Sequence, residues 1–156
     1  MLSVGTEAPD FSLTRRVREA PVRLSDFRGE RTVVLLFFPL AFSGVCTAEM
    51  CQVAEDYSRW TGLNAEILGI SIDSPWVNAK FAEETGAAFP ILSDFNKDVS
   101  TAYGVLYDDF FGMRGVSKRS AFVVDRDGII RYAWMEEDSS IMPPFDEIAE
   151  AVAALR

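Results

Sequence analysis

Seven consecutive residues, Thr32 to Phe38 (TVVLLFF), carry no charge and are mostly β-branched or aromatic. A strand of that composition has no polar face to offer water, so it must be covered on both sides, as central strands of α/β sheets are. A second run of similar character, AEILGISI, spans Ala65 to Ile72. Between them, TAEMCQVAEDYSRW sets Met50, Val53, Tyr57 and Trp60 three or four residues apart, which predicts one apolar helical face over Thr47–Trp60. Strand, helix and strand in this order make a parallel βαβ unit.

The remaining segments build outward from that unit. FSL and VRL near the start read as short strand-like pieces separated by a polar, arginine-rich turn. DSPWVNAKFAEETG begins on Asp-Ser-Pro and ends on Gly, predicting a helix from about Pro75 to Thr85. FPIL is a short strand whose proline suits a sheet edge or a strand start. KDVSTAYG is a short helix closing on Gly104, and LYDDFFGMRG after it reads as an aromatic loop. RSAFVVDRDGIIRYAWM is a hairpin around Asp127-Gly128. The final segment, PPFDEIAEAVAALR, starts on prolines and puts Phe145, Ile148, Ala149, Val152 and Leu155 on one helical face. The fold class expected is α/β, thioredoxin-like, with a central mixed sheet flanked by helices. No linker, repeat or charge block interrupts the chain, so residues 1–156 are expected to form a single domain.

Charge narrows the function classes. The chain has 15 Lys+Arg against 24 Asp+Glu, a formal net charge of -9. Such a chain repels nucleic acid and anionic membrane and has no basic cluster to offset this, so neither is expected as a partner. The longest apolar run, Val33 to Phe42, is too short to span a bilayer and contains Pro39. The opening MLSVGTEAPD has no basic region followed by an apolar one, so a cytoplasmic location is the default expectation. Histidine is absent and cysteines number two. Ser-His and Cys-His nucleophile pairs are therefore excluded, as is a structural zinc site, and no metal or cofactor is expected.

Cys46 stands where the Thr32–Phe38 strand has ended and the following helix begins. Sites in parallel α/β sheets form beyond the carboxyl ends of strands. The first helical turn offers unpaired N–H groups and the positive end of the dipole, which favour a thiolate. A guanidinium must supply the rest, because imidazole is unavailable. Pro39 ends the strand and Gly44 permits close backbone approach, while Ser43 lies near enough for its hydroxyl to reach the sulfur or a bound oxygen. On the residues alone, Ser43 could instead merely cap the helix and Cys46 could be a small buried hydrophobe. Glu49 could be a first-turn acid favoured by the dipole, and Arg114, Arg119 and Arg131 all stay open as the partner cation.

PLAFSGVC resembles the peroxiredoxin signature of Pro, three residues, Thr or Ser, two residues and Cys. GTEAPDFSL, LSDFRG, VVLLFF, LGISIDSP, FPILSDF, TAYGV and RSAFVVDRDGIIRY are similar to peroxiredoxin segments in the same order. In detail the chain looks most like the alkyl hydroperoxide reductase E branch, with the bacterioferritin comigratory protein branch next. The resemblance implies a thiol-dependent peroxidase that reduces hydrogen peroxide and organic hydroperoxides through a sulfenic acid on Cys46. It implies that Ser43 holds the peroxide, Pro39 shields the thiolate, Arg119 is the active-site arginine and Glu49 orients it. Serine at position 43 departs from the commoner threonine but keeps the hydroxyl. The reductant implied is thioredoxin, a glutaredoxin-like protein or a low-molecular-weight thiol, and the assembly implied is a homodimer. Phe42, Trp76 and Phe110 are candidate substrate contacts; Trp76, Tyr107, Phe110 and Phe111 read first as core or loop packing, the alternative being a hydroperoxide-binding wall or a dimer surface.

Two other classes share a reactive cysteine. Thiol–disulfide exchange normally uses Cys-x-x-Cys, against which CTAEMC counts. A peroxide-sensing protein would differ only in turnover. Cys51 is the candidate resolving cysteine. Five helical steps turn its side chain by roughly 140° from Cys46 and separate the Cα atoms by roughly 8 to 9 Å, whereas a disulfide needs less than about 7 Å. The expectation is that Cys51 resolves Cys46 only after the helix start unwinds, the alternative being a packing role.

Overall fold

The computed structural model describes residues 1–155. Strand β1 (Ser12–Leu13) pairs antiparallel with β2 (Val22–Arg23) in a small ribbon. The main sheet is built from β3 (Thr32–Phe37), β4 (Ala65–Ser71), β5 (Ile91–Ser93), β6 (Arg119–Val124) and β7 (Ile130–Glu136). Its order is β5-β4-β3-β6-β7, with β3, β4 and β5 parallel and β6 and β7 antiparallel to their neighbours. The sheet is therefore mixed. β3 occupies its centre and all six of its residues are buried, the outcome its two-sided apolar composition requires. Proline precedes β5, which lies at the edge.

The helices are α1 (Gly44–Glu55), α2 (Tyr57–Gly62), α3 (Pro75–Thr85), α4 (Asp98–Ala102) and α5 (Phe145–Ala153). Alternation along the strands divides the core in two. Val34, Leu36, Phe38, Ala121 and Val123 pack with Cys46, Met50, Val53, Phe81, Ile148 and Val152 from the helices of one face. Val33, Leu35, Phe37, Phe122 and Val124 pack on the other with Phe11, Leu24, Val99 and Tyr103. Phe37, Tyr103 and Phe122 meet there with ring centroids 5.2 to 5.9 Å apart. α3 starts where its sequence says: Ser74 Oγ accepts from the Val77 N–H, Pro75 opens the helix and Gly86 closes it at φ 75°. The Asp127-Gly128 hairpin is tied by Asp125 Oδ1, which accepts from the N–H groups of Asp127 and Ile129.

Two expectations are corrected. The helix placed at Thr47–Trp60 begins three residues earlier, at Gly44, so Cys46 lies inside its first turn. It also breaks at Asp56, whose φ and ψ of -95° and 12° leave the helical region. Aspartate is a poor helix former. Beyond the break Tyr57 and Trp60 turn onto β4, where Tyr57 Oη donates to Glu66 Oε1 at 2.7 Å and Trp60 is buried. The aromatic loop is also more regular than its composition suggests. Phe110 and Met113 exchange both backbone hydrogen bonds around Phe111 and Gly112, which adopt φ of 52° and 87°. That is a tight two-residue turn of the kind that needs positive φ at both central positions.

Leu35 is fully buried at the centre of the sheet. Leu35→Ala should destabilise the fold by about 2–5 kcal/mol, read as a lower urea midpoint with an unchanged slope.

Candidate active site

Because β6 runs antiparallel to β3, with Phe37 opposite Ser120, the first residue of β6 lies beside the carboxyl end of β3. The chain leaves β3 there through Pro39 and enters α1. Arg119 is that first residue. Ala121 and Val123, two and four positions on, belong to the core face that holds α1, so Arg119 points to the same face.

The buried positions of α1 are Cys46, Glu49, Met50 and Val53, an i, i+3, i+4, i+7 stripe. The sequence thus places a thiol and a carboxyl one turn apart on a face turned into the core. Cys46 is 1% exposed, Glu49 0% and Arg119 1%. A carboxyl and a guanidinium at that depth are tolerated only as partners. Arg119 Nη1 donates to Glu49 Oε1 at 2.5 Å and Nη2 donates to Cys46 Sγ at 3.2 Å. Nε and Nη2 also donate to the Ser139 carbonyl oxygen at 3.1 and 2.9 Å. Four hydrogen bonds therefore use four of the five guanidinium donors, and the cation is fixed from α1 on one side and the loop after β7 on the other.

Burial pushes the Glu49 carboxyl up to about 7, against the opposing pull of Arg119. Its second oxygen, Oε2, is buried without a hydrogen-bond partner, which gives that direction its structural cause. Desolvation works against the Arg119 charge, but Glu49 and then Cys46 outweigh it and raise the guanidinium above its ordinary value.

Pro39 is buried beneath the turn and Ser43 is exposed at its rim. Ser43 caps α1 with its backbone only, since its Oγ donates to the Leu40 carbonyl at 2.8 Å. Pro39, Ser43, Val45, Phe110, Phe111 and Arg119 are among the walls of a cavity of about 310 Å³. Phe42, next to Ser43 in sequence, turns edge-on to Phe81, with ring centroids 5.1 Å apart. Trp76 is not brought to Cys46; it lines a separate cavity of about 540 Å³ with Phe11, Phe95 and Tyr103. Cys51 is half-buried with a free thiol and sits beside the α1 stripe in unbroken helix, five residues from Cys46. Sequence reasoning missed the Ser139 carbonyl. Its signal was the Asp-Ser-Ser after β7: Asp138 Oδ1 accepts from the N–H and Oγ of Ser140, an Asx turn that presents the intervening carbonyl.

The fold thus gathers a thiol, a guanidinium and a carboxyl at the carboxyl end of the central strand, a set suited to cysteine redox chemistry. Residues 4–133 match the AhpC/TSA family, and the chain belongs to that family. It is 41% identical over 143 residues to alkyl hydroperoxide reductase E of Mycobacterium tuberculosis, covering 90% of each chain. It is 33% identical over 141 residues to the chloroplastic 2-cysteine peroxiredoxin of Chattonella marina var. antiqua, covering 85% of this chain and 70% of that one. Among solved structures, peroxidoxin BcpB from Mycobacterium tuberculosis superposes with a TM-score of 0.87 at 30% identity, over 100% of this chain and 99% of that one. The reduced 2-Cys peroxiredoxin of Plasmodium vivax gives 0.83 at 29% identity, over 97% and 94%. The protein is a peroxiredoxin, an enzyme that reduces hydroperoxides at the expense of thiols, with the thioredoxin-like fold of that family. No helix among the described residues is long and apolar enough to cross a membrane.

The raised Glu49 value fixes a sign. The folded state holds this proton more tightly than the unfolded chain, so the stabilisation is complete below about 4.5 and is lost as pH rises to about 7. Urea denaturation from pH 4 to 8 should show the wild type losing stability relative to Glu49→Gln across that window. A flat difference would place the proton elsewhere.

Proposed function

We propose that Cys46 is the peroxidatic cysteine of this enzyme, with hydrogen peroxide and organic hydroperoxides as substrates. The observation that carries the reading is the Arg119 guanidinium, buried and anchored on Glu49 and Ser139, with one donor 3.2 Å from Cys46 Sγ. A fixed positive charge there stabilises a sulfur anion, and it also stabilises the oxygen on which charge develops.

The thiolate attacks the terminal oxygen of the hydroperoxide. An S–O bond forms as the O–O bond breaks, sulfur is oxidised by two electrons, and the departing alkoxide or hydroxide takes a proton from water. Cys46 is left as a sulfenic acid. Ser43 Oγ already donates its proton to Leu40, so its lone pairs are free to accept the O–H of the bound peroxide. The N–H groups of the first turn of α1 have no side-chain cap and can donate to the peroxide oxygens. Pro39 keeps water from the sulfur side of the turn. Phe110 supplies an apolar wall for an organic substituent.

Cys51 resolves the sulfenic acid in this reading. Because both cysteines lie in α1 (Gly44–Glu55), the disulfide requires the first turns to open, and opening a helix end is cheap compared with global unfolding. A thiol reductant then restores both cysteines: thioredoxin, a glutaredoxin-like protein or a low-molecular-weight thiol. We place the enzyme in the cytoplasm as a single-domain homodimer, with the exposed rings of Phe42 and Trp76 contributing to the contact between copies. Sedimentation as a monomer at working concentration would remove the dimer.

Arg119→Ala should slow peroxide reduction about a hundredfold or more with the far-ultraviolet circular dichroism unchanged. An unaltered rate would mean that another cation serves Cys46. Limited peroxide should convert the wild type to a Cys46–Cys51 disulfide on non-reducing peptide maps, and Cys51→Ser should turn over more slowly with the same dithiol. No disulfide together with equal turnover would leave Cys51 a packing residue.

A further inference from the structure

Residues 39–45 carry the chain from the end of β3 into the first turn of α1 and so to Cys46. Among the described residues, the hydrogen bonds of this segment stay within it or run into α1, as from Ser43 to Leu40 and from Thr47 to Ser43, with one exception. The Ala41 N–H donates to Asp73 Oδ2 at 2.8 Å. Asp73 lies in the loop between β4 and α3 and is itself held from several directions. Ser71 Oγ stands 2.8 Å from the same carboxylate oxygen and accepts from the Asp73 N–H at 3.3 Å. Ser93 Oγ donates to the Asp73 carbonyl at 2.6 Å. Asn78 of α3 contacts Ser71 Oγ at 3.0 Å and donates to the Leu92 carbonyl at 3.1 Å. The carboxylate is thus mounted on the ends of β4 and β5, and it reaches across to the loop that leaves β3. Apolar contacts accompany it: Ala41 packs against the core of that face, and Phe42, at φ 68°, rests its ring on Phe81 of α3.

We propose that Asp73 is a positioning residue for the chemistry of Cys46. Its carboxylate holds the 39–43 loop, and with it Ser43 and the first turn of α1, in the peroxide-reducing arrangement. Release of the Ala41 N–H is the event that frees that turn to unwind toward Cys51. The inference rests on the readings of Cys46 as peroxidatic and Cys51 as resolving. A charge-assisted bond is stronger than a neutral one, and here a single such bond supplies the loop's polar attachment to the rest of the fold. It therefore biases two steps in opposite directions. It favours attack on peroxide, which needs the turn formed. It opposes disulfide formation, in which the Cys51 sulfur attacks the Cys46 sulfur, the S–O bond breaks, and the Cys51 thiol proton leaves with the oxygen as water.

The test compares wild type, Asp73→Ala and Asp73→Asn by rapid mixing with peroxide and by amide hydrogen exchange. In Asp73→Ala, oxidation of Cys46 should slow about tenfold or more, while conversion of the sulfenic acid to disulfide should accelerate. Exchange over residues 40–47 should quicken, with β4 and β5 unchanged. Asp73→Asn keeps an oxygen that accepts the Ala41 N–H but loses the charge, and should fall between wild type and Asp73→Ala in both steps. Both steps slowing together, or neither changing, would overturn the proposal. Should Asp73→Ala fail to fold, the wild type still decides: an Ala41 amide that exchanges like an unprotected one would show that the tether does not hold. The underlying readings are scored separately. Peroxidase activity surviving in Cys46→Ser would sink the assignment of Cys46, and absence of the disulfide in wild type would sink that of Cys51, before any Asp73 variant is compared.

Discussion

The Arg119 guanidinium is the contact on which the rest of the site depends. A charged group that is 1% exposed is stable only with its donors engaged, and breaking such a buried pair costs about 3–5 kcal/mol. Glu49 and the Ser139 carbonyl meet that requirement from opposite sides. They leave one donor of a rigidly held cation on Cys46 Sγ. In a chain without histidine, the proposed mechanism assigns to this arrangement the positive charge that an imidazole supplies in other cysteine enzymes. It cannot be switched off by titration of the cation itself.

The mixed sheet makes that arrangement possible. A wholly parallel sheet would put the amino end of β6 at the opposite edge from the end of β3. The antiparallel pairing of β3 with β6 instead brings the start of one strand against the finish of the other. The loops after β3, β4 and β7 converge at the same end. They contribute the cysteine turn, the Asp73 carboxylate and the Ser139 carbonyl. The carboxyl end of an α/β sheet is where such convergence is expected, and here the backbone of the loops supplies as many of the polar contacts as the side chains do.

Much of this could be read from residue order. The two-sided apolar runs of β3 and β4, the Ser-Pro start and Gly stop of α3, and the Asp-Gly hairpin each carry a local physical signal, and each element lies where its signal put it. The break at Asp56 was hidden because Val53, Tyr57 and Trp60 keep helical spacing across it. Spacing reports which residues are buried and not whether one axis carries them. The turn at Phe111-Gly112 was hidden for a related reason, since a phenylalanine at positive φ has no local preference to announce it. In the site, the helix-start position of Cys46 was legible. Nothing local distinguished Arg119 from Arg114 or Arg131, which only the resemblance to peroxiredoxins separated. The contacts of Asp73 and Ser139 are tertiary, and neither has a sequence period to betray it. Trp76 illustrates the converse: an aromatic residue near the right loop in sequence faces another cavity in space.

The proposed mechanism requires that peroxide oxidise Cys46, and not Cys51, first. The most direct measurement is trapping with a sulfenic-acid-specific nucleophile such as dimedone during reaction with one equivalent of hydroperoxide, followed by peptide mass spectrometry. The adduct is expected on Cys46, with a yield that collapses in Arg119→Ala while Cys51 stays unlabelled. A first adduct on Cys51, or equal labelling of both cysteines that ignores the loss of Arg119, would contradict it.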